Sequence, residues 1–259
     1  MLGTHALNYS GSFSSLPDPS GASAIWAFDI NDAGVVVGNT LSSGGSRGFV
    51  RTGGTYTALT YPGAANTYAF GINALGQIVG AYDDGTPNAA GHGYLLSGGN
   101  FSSISVPGST STYVYGVNDS CVLAGTYVAA SGQVSGFTRN NGGYASVNVP
   151  GSQMTFVRGL NGLGDLVGEY VDSLSKTRGF VRLGSGGFWT FDVVGTTKTF
   201  AAAINNSRTV AGSFLVGPDT YQSFIATPMP VPLPSALPLF AAGLLAVTGF
   251  RGAPTTPAA

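Results

Sequence analysis

Charge is what this 259-residue chain has least of. Asp, Glu, Lys and Arg make up 8% of it, where roughly 25% is usual for a soluble domain. Ten Lys and Arg are scattered among eleven Asp and Glu, for a net charge of −1. With no basic footprint, the chain is not expected to bind nucleic acid. Cys121 is the single cysteine, so no intrachain disulfide forms and cysteine usage says nothing about redox compartment. Histidine is limited to His5 and His92, and glutamate to Glu169, which leaves little material for general acid–base or zinc chemistry. No Gly-x-Ser-x-Gly elbow, phosphate loop or Cys/His metal spacing occurs. Leu2-Gly3-Thr4-His5 after Met1 offers neither the basic region nor the apolar run of a secretory signal. Low charge here does not mean disorder, because 43% of the residues are hydrophobic and 11% aromatic.

What the chain does have is 41 glycines and one phrase used five times. It runs Ile30-Asn31-Asp32-Ala33-Gly34-Val35-Val36-Val37-Gly38, then Ile72-Asn73-Ala74-Leu75-Gly76-Gln77-Ile78-Val79-Gly80. Asn118 to Gly125, Asn161 to Gly168 and Asn205 to Gly212 repeat it, at steps of 42, 45, 43 and 44 residues. Self-similarity at that period marks a repeat architecture, in which no unit buries its own apolar face alone.

Each copy reads as four strands. An alternating segment precedes the Asn, as in Trp26-Ala27-Phe28-Asp29-Ile30 or Tyr68-Ala69-Phe70-Gly71-Ile72, with large residues on one face. An Asn-x-x-Gly turn follows; Cys121 and Arg208 replace its Gly in copies three and five, which predicts altered turn geometry there. A second strand ends the phrase, and a third opens with a small residue and an aromatic (Gly48-Phe49, Gly93-Tyr94, Gly136-Phe137, Gly179-Phe180, Ser223-Phe224). A Gly-Gly turn and a fourth strand come next in the first four copies, before Pro62-Gly63, Pro107-Gly108 and Pro150-Gly151 lead onward. Four strands per ~43 residues is the unit of a β-propeller. The expected fold is all-β: a five-bladed β-propeller of four-stranded blades. The fifth copy lacks a fourth strand, and Phe13-Ser14-Ser15-Leu16 is expected to supply it, closing the ring with an N-terminal strand. His5 to Phe13 also aligns with His92 to Phe101, so the chain opens inside a third strand: either a leader, or the end of a copy that begins farther upstream.

Two resemblances rest on these residues. The Ile-Asn-x-x-Gly-x-Ile-Val-Gly core with the later His92-Gly93-Tyr94 or Gly48-Phe49-Val50, over residues 5 to about 226, resembles the bacterial extracellular HAF repeat family. That implies an exported repeat protein and carries over no catalytic residues. Val231-Pro232-Leu233-Pro234, the apolar stretch to Phe250 and Arg251 resemble a PEP-CTERM sorting signal in a Val-Pro-Leu-Pro variant. This resemblance implies an exosortase-type partner, transient membrane insertion, and a destination in the bacterial envelope or outside the cell. The tail departs from the pattern in lacking a terminal Arg/Lys cluster, and a buried C-terminal helix is the other reading of the apolar stretch. The chain thus divides into a leader or partial strand (1–11), the propeller (12–227), a Pro-rich linker with the sorting motif (228–235), a transmembrane-like apolar helix (236–251) and a tail (252–259).

No catalytic set stands out. Asp29 alone puts a carboxylate on an innermost strand, where the other copies have Gly71, Gly116, Gly159 and Ala203, and glycoside hydrolysis needs two. No cofactor is expected. Asp83-Asp84-Gly85 is the place for a Ca²⁺ ion, as are Glu169 and Asp172 in what reads as a variable loop, but none has the dense oxygen ligands of a calcium loop. Asn31, Asn73, Asn118, Asn161 and Asn205, with Gly38, Gly80, Gly125, Gly168 and Gly212, are read as turn-forming residues. Trp26, Tyr68 and Tyr113 are equivalent aromatics whose default role is packing between blades; at the ring surface they would stack on sugars. The leading expectation is a non-enzymatic envelope or matrix protein, the alternative a lectin for extracellular polysaccharide, and the third a glycoside hydrolase.

Overall fold

A computed structural model describes residues 7–9, 13–15, 21–86, 89–228 and 245–248. It begins with a hairpin of β1 (Leu7–Tyr9) and β2 (Phe13–Ser15). Five four-stranded antiparallel sheets follow. The first is β3 (Ala24–Ile30), β4 (Val36–Ser42), β5 (Gly45–Thr52) and β6 (Thr55–Leu59). The second is β7 (Asn66–Ile72), β8 (Ile78–Asp83), β9 (His92–Ser97) and β10 (Asn100–Ile104). The third is β11 (Ser109–Val117), β12 (Leu123–Ala129), β13 (Val134–Asn140) and β14 (Gly143–Val147). The fourth is β15 (Met154–Leu160), β16 (Leu166–Val171), β17 (Thr177–Arg182) and β18 (Phe188–Phe191). The fifth is β19 (Thr199–Ile204), β20 (Val210–Leu215), β21 (Tyr221–Pro228) and β22 (Leu245–Thr248). The chain is a five-bladed β-propeller, and no helix occurs among the described residues.

Two expectations about the ends are corrected. The fourth strand of blade five is β22, from inside the stretch expected to form the apolar helix, and not Phe13–Ser15, which pairs with β1. The outer edge of β21 presents unpaired backbone groups that any extended segment satisfies, and Val247 and Thr248 are β-branched residues suited to the task. Phe13–Ser15 instead takes the partner nearest in sequence, which costs less loop entropy. No helix among the described residues is long and apolar enough to cross a membrane. Val231 to Pro234 lie outside the described residues.

The core lies between blades. Val37 of the first blade clusters with Ala69, Ile72, Ile78 and Tyr94 of the second. Val79 meets Val114 and Phe137, Ala124 meets Val157 and Phe180, and Val167 meets Ala201 and Phe224. A small third-strand residue lets the next blade approach: a Cβ on Gly93 or Gly136 would press into Val114 or Val157. Thr67, Thr112, Thr155 and Thr199, all at most 1% exposed, stitch each junction by accepting the amide N–H of Tyr61, Val106, Val149 and Val193.

The repeated Asn spans two blades. Oδ1 of Asn118 accepts the amides of Ser120 and Val122, bracing its own turn, while Nδ2 donates to the carbonyl of Asn161 in the next blade at 3.3 Å. Asn31, Asn73 and Asn161 reach Asn73, Asn118 and Asn205 in the same way, at 3.0–3.1 Å. The turn itself is uniform. Cys121 and Arg208 hold φ of 57° and 61° and donate to the Asn carbonyl at 2.9 Å, as Gly34 does, so the altered geometry expected in copies three and five does not occur. An L-residue in this region is strained. Cys121→Gly is therefore expected to stabilise the chain by about 1 kcal/mol, read as a higher urea midpoint at unchanged m-value.

The second Gly of the phrase is not in the turn. Gly38, Gly80, Gly125, Gly168 and Gly212 lie on the second strand, opposite Ala27, Ala69, Val114, Val157 and Ala201. There the first strand slips register by one residue in every blade. That bulge drives a first-strand carbonyl, such as Tyr68 O or Phe156 O, into the space a Cβ would fill.

Candidate functional site

The five innermost strands converge on a central channel so tightly that a Cβ on Gly71 would lie 2.7 Å from Tyr115 O. The residue just before this slot points into the channel: Phe28, Phe70, Tyr115, Arg158 and Ala202 in blades one to five. Phe28 meets Phe70 edge-on at 5.5 Å between centroids, and Phe70 lies 5.0 Å from Tyr115. Arg158 continues the belt, its guanidinium 4.9 Å from the Tyr115 ring centre and 5.2 Å from that of Phe156. At the belt position blade five has only the methyl of Ala202, and the belt leaves room there. A recess of about 370 Å³ opens there, lined by the belt with Glu169, Phe200 and Ala201.

Glu169 is not in a loop. It lies on β16 opposite Phe156, is 4% exposed, and its Oε1 accepts Nε and Nη2 of Arg158 at 2.8 and 2.6 Å. Burial pushes its carboxyl above the usual range, and the Arg158 hydrogen bonds only partly reverse this. The result is a planar guanidinium fixed between two rings and a carboxylate, beside aromatic faces. Sugars are bound by such sets, with C–H faces on the rings and hydroxyls on a charged planar donor.

On the other side of the belt lies a polar recess of about 310 Å³ lined by Asp29, Asn31, Asp32, Asp119, Asn161, Asn205 and Asn206 among others. The channel therefore holds more carboxylates than Asp29 alone, correcting the expectation from sequence. Asp29 accepts the amides of Ile72 and Ile30 at 2.8 and 2.9 Å, and burial raises its carboxyl despite them. Asp119 accepts the amide of Ala74. Asp29 and Glu169 line opposite recesses, each already bound to an amide or a guanidinium.

The aromatics singled out in the sequence stand one row behind the belt. Tyr68 stacks beside Phe70 and Tyr113 beside Tyr115, at 6.1 and 6.5 Å, both half-buried, while Trp26 is 38% exposed. Alternation puts residues i and i+2 on one face, so Phe28, Phe70 and Tyr115 were within reach of the same reasoning. His92 is exposed, 5.4 Å from the Tyr82 ring. Asp83 Oδ1 accepts Asn66 Nδ2 and the Gly85 amide, and Asp84 accepts the Thr86 amide and hydroxyl, as turn residues do. Among the described residues no three His, Cys, Asp or Glu side chains gather to hold a metal ion. Of the repeated Asn residues, Asn31, Asn161 and Asn205 line the polar recess; the side chains of Asn31 and Asn161 are spent on their turns and the next blade, and that of Asn205 on its own turn.

No family model and no curated protein matches the chain. Its fold is similar to that of a mutant Aleuria aurantia lectin in complex with Fucalpha1-6GlcNAc, with 11% identity, a TM-score of 0.51, and coverage of 93% of this chain and 85% of that one. It is also similar to a mutant of AofleA from Arthrobotrys oligospora (13%, TM-score 0.53, 94% and 78%). A fucose-specific lectin from Aleuria aurantia is a third (12%, TM-score 0.51, 87% and 77%). At these identities the likeness is one of fold.

Proposed function

We propose that this chain is a non-enzymatic, carbohydrate-binding β-propeller that acts outside the bacterial cytoplasm. The observation that carries the reading is the recess at Ala202, where Phe70, Tyr115 and the Glu169-braced Arg158 present ring faces and a fixed cation together. Two similar folds are described as a fucose-specific lectin and as a lectin holding a fucosyl sugar, which agrees with this reading. A hydrolase reading is less well supported: Asp29, Asp32 and Asp119 share the polar recess, but Asp29 is held by the amides of Ile72 and Ile30 and Asp119 by that of Ala74, while Glu169 lines the other recess paired with Arg158. Extracellular polysaccharide is the class of ligand that suits an exported protein of this type. A glycan array of neutral and fucosylated bacterial polysaccharides is the test, followed by calorimetry on the best binder. Tyr115→Ala is expected to weaken binding by about fivefold or more, the loss of one stacking face costing ~1–3 kcal/mol. Silence across the array, or full binding by Tyr115→Ala, refutes the reading.

The address is a second part of the proposal, and rests on the Val231-Pro232-Leu233-Pro234 motif with its apolar follower and on the HAF-type repeats. An exosortase-type membrane enzyme is the partner it calls for, with the apolar segment inserted transiently during export. Replacing Val231 to Pro234 with Ala and Ser is expected to leave an unprocessed form at the membrane, visible as a slower band on immunoblots of fractionated cells. Unchanged processing and location would sink the sorting claim without touching the lectin claim.

A further inference from the structure

Four of the five places where blades could meet are sealed, and the fifth is not. At the sealed interfaces the first strand of one blade packs on the second and third strands of the blade before it, as β7 does on β4 and β5. Ala69, Val114, Val157 and Ala201, the second residues of the alternating segments, are each 0% exposed as a result. Their counterpart Ala27 is exposed, and so are Phe28 at 52% and Ile30 at 57%. On the far wall, Ala211 is exposed where Val37, Val79, Ala124 and Val167 are 0% exposed, and Ile225 is 47% exposed. The apolar cluster of blade one, alone among the five, takes no buried residue from another blade. Asn205, unlike the other four, makes no side-chain bond to a next Asn among the described residues. Blades five and one both line the central recesses, yet β3 has no contact with blade five comparable to the other four junctions.

We infer that the seam between blades five and one is the seat of a sixth blade, whose outer half this chain already carries as β1–β2. The pairing identifies that hairpin. Tyr9↔Phe13, Asn8↔Ser14 and Leu7↔Ser15 reproduce Leu96↔Phe101, Leu95↔Ser102 and Tyr94↔Ser103 of blade two, so β1 and β2 hold the registers of a third and a fourth strand. A blade placed before blade one covers β3 with its second and third strands, and covers β20 and β21 of blade five with its first. The occupant the seam calls for is therefore an inner hairpin of this chain's own repeat type: an alternating strand, an Asn-x-x-Gly turn and a second strand ending in Gly. Both walls are already shaped to receive it.

The test uses the full chain with Trp189→Phe, so that Trp26 on β3 is the sole tryptophan, and a synthetic peptide of residues 66–83, the inner hairpin of blade two. Saturable binding with a blue shift of Trp26 emission, a loss of acrylamide quenching and a raised Tm is the expected result. Ala27→Arg, a surface change in the open seam, is expected to leave the fold intact and abolish the shift, and the peptide carrying Gly80→Ala is expected to give none. An unmoved Trp26 spectrum at saturating peptide, an equal response to the Gly80→Ala peptide, or sedimentation showing that a second copy already covers the seam would each overturn the inference.

Discussion

Gly168→Ala is expected to unfold the chain. The added Cβ would run into the carbonyl oxygen of Phe156 and crowd the Phe180 ring, which lies 3.0 Å from it. The carbonyl lies between the Phe156–Glu169 and Val157–Gly168 ladder pairs, just before the bulge of β15, and cannot swing aside without breaking the first strand from the second. Leu166, Val167 and Phe180, all 0% exposed, pack around the same point, so no void is available to absorb the shift. The cost is expected to exceed ~4 kcal/mol, the range in which single substitutions unfold marginal domains. Gly164→Ala, four residues earlier, supplies the contrast. Its φ is +80° but the nearest atom is Gly184 Cα at 3.8 Å, so only the backbone strain of about 1–2 kcal/mol applies. Urea unfolding of the two variants separates the explanations: equal losses would mean that steric exclusion by the bulge is not what keeps Gly in every copy.

Asn161→Ala is expected to be the most damaging of the Asn substitutions, and Asn205→Ala the least. Asn161 is 5% exposed; its Oδ1 accepts the amides of Leu163 and Asp165, and its Nδ2 donates to Asp165 Oδ2 and the carbonyl of Asn205. Removing it strands buried amides and the blade four–blade five link, at ~3 kcal/mol. Asn205 is exposed, accepts the Thr209 amide and faces the open seam, so its loss is expected to cost under about 1 kcal/mol. Chemical denaturation gives the two values, and hydrogen exchange at the Leu163 and Asp165 amides locates the effect. If both variants lose the same stability, the inter-blade bond contributes nothing.

What could be read from the sequence follows from what repeats. Five copies of one phrase, alternating strands and Gly-Gly turns gave blade number and strand order, because each rests on local backbone preference seen five times over. Features used once were harder. Arg158 takes a slot that is aromatic in three other copies, and Glu169 directly follows the Gly of its phrase; since the second strand runs on through Val171, the pair was within reach of counting along the strand. The Asn-to-Asn links join residues 42 to 45 apart through a side chain and a backbone carbonyl, and no spacing rule announces such a bond. The buried threonines were visible as a recurring Val-Pro-Gly-x-x-x-Thr, as in Val106 to Thr112 and Val149 to Thr155. The strand that completes blade five was not legible, since edge pairing uses backbone groups that every residue carries.

The sameness of the junctions has a consequence for folding. Each blade offers its neighbour nearly the same surface: a small residue on the third strand, a Val or Ala on the second, an Asn carbonyl at the turn. Such a surface does not distinguish the next blade of its own chain from the corresponding blade of another. Correct assembly then depends on the short linkers at Pro62-Gly63, Pro107-Gly108 and Pro150-Gly151, which hold the proper neighbour at high effective concentration. When refolding chains are crowded that advantage shrinks, and exchange of whole blades between molecules becomes the characteristic error of this architecture.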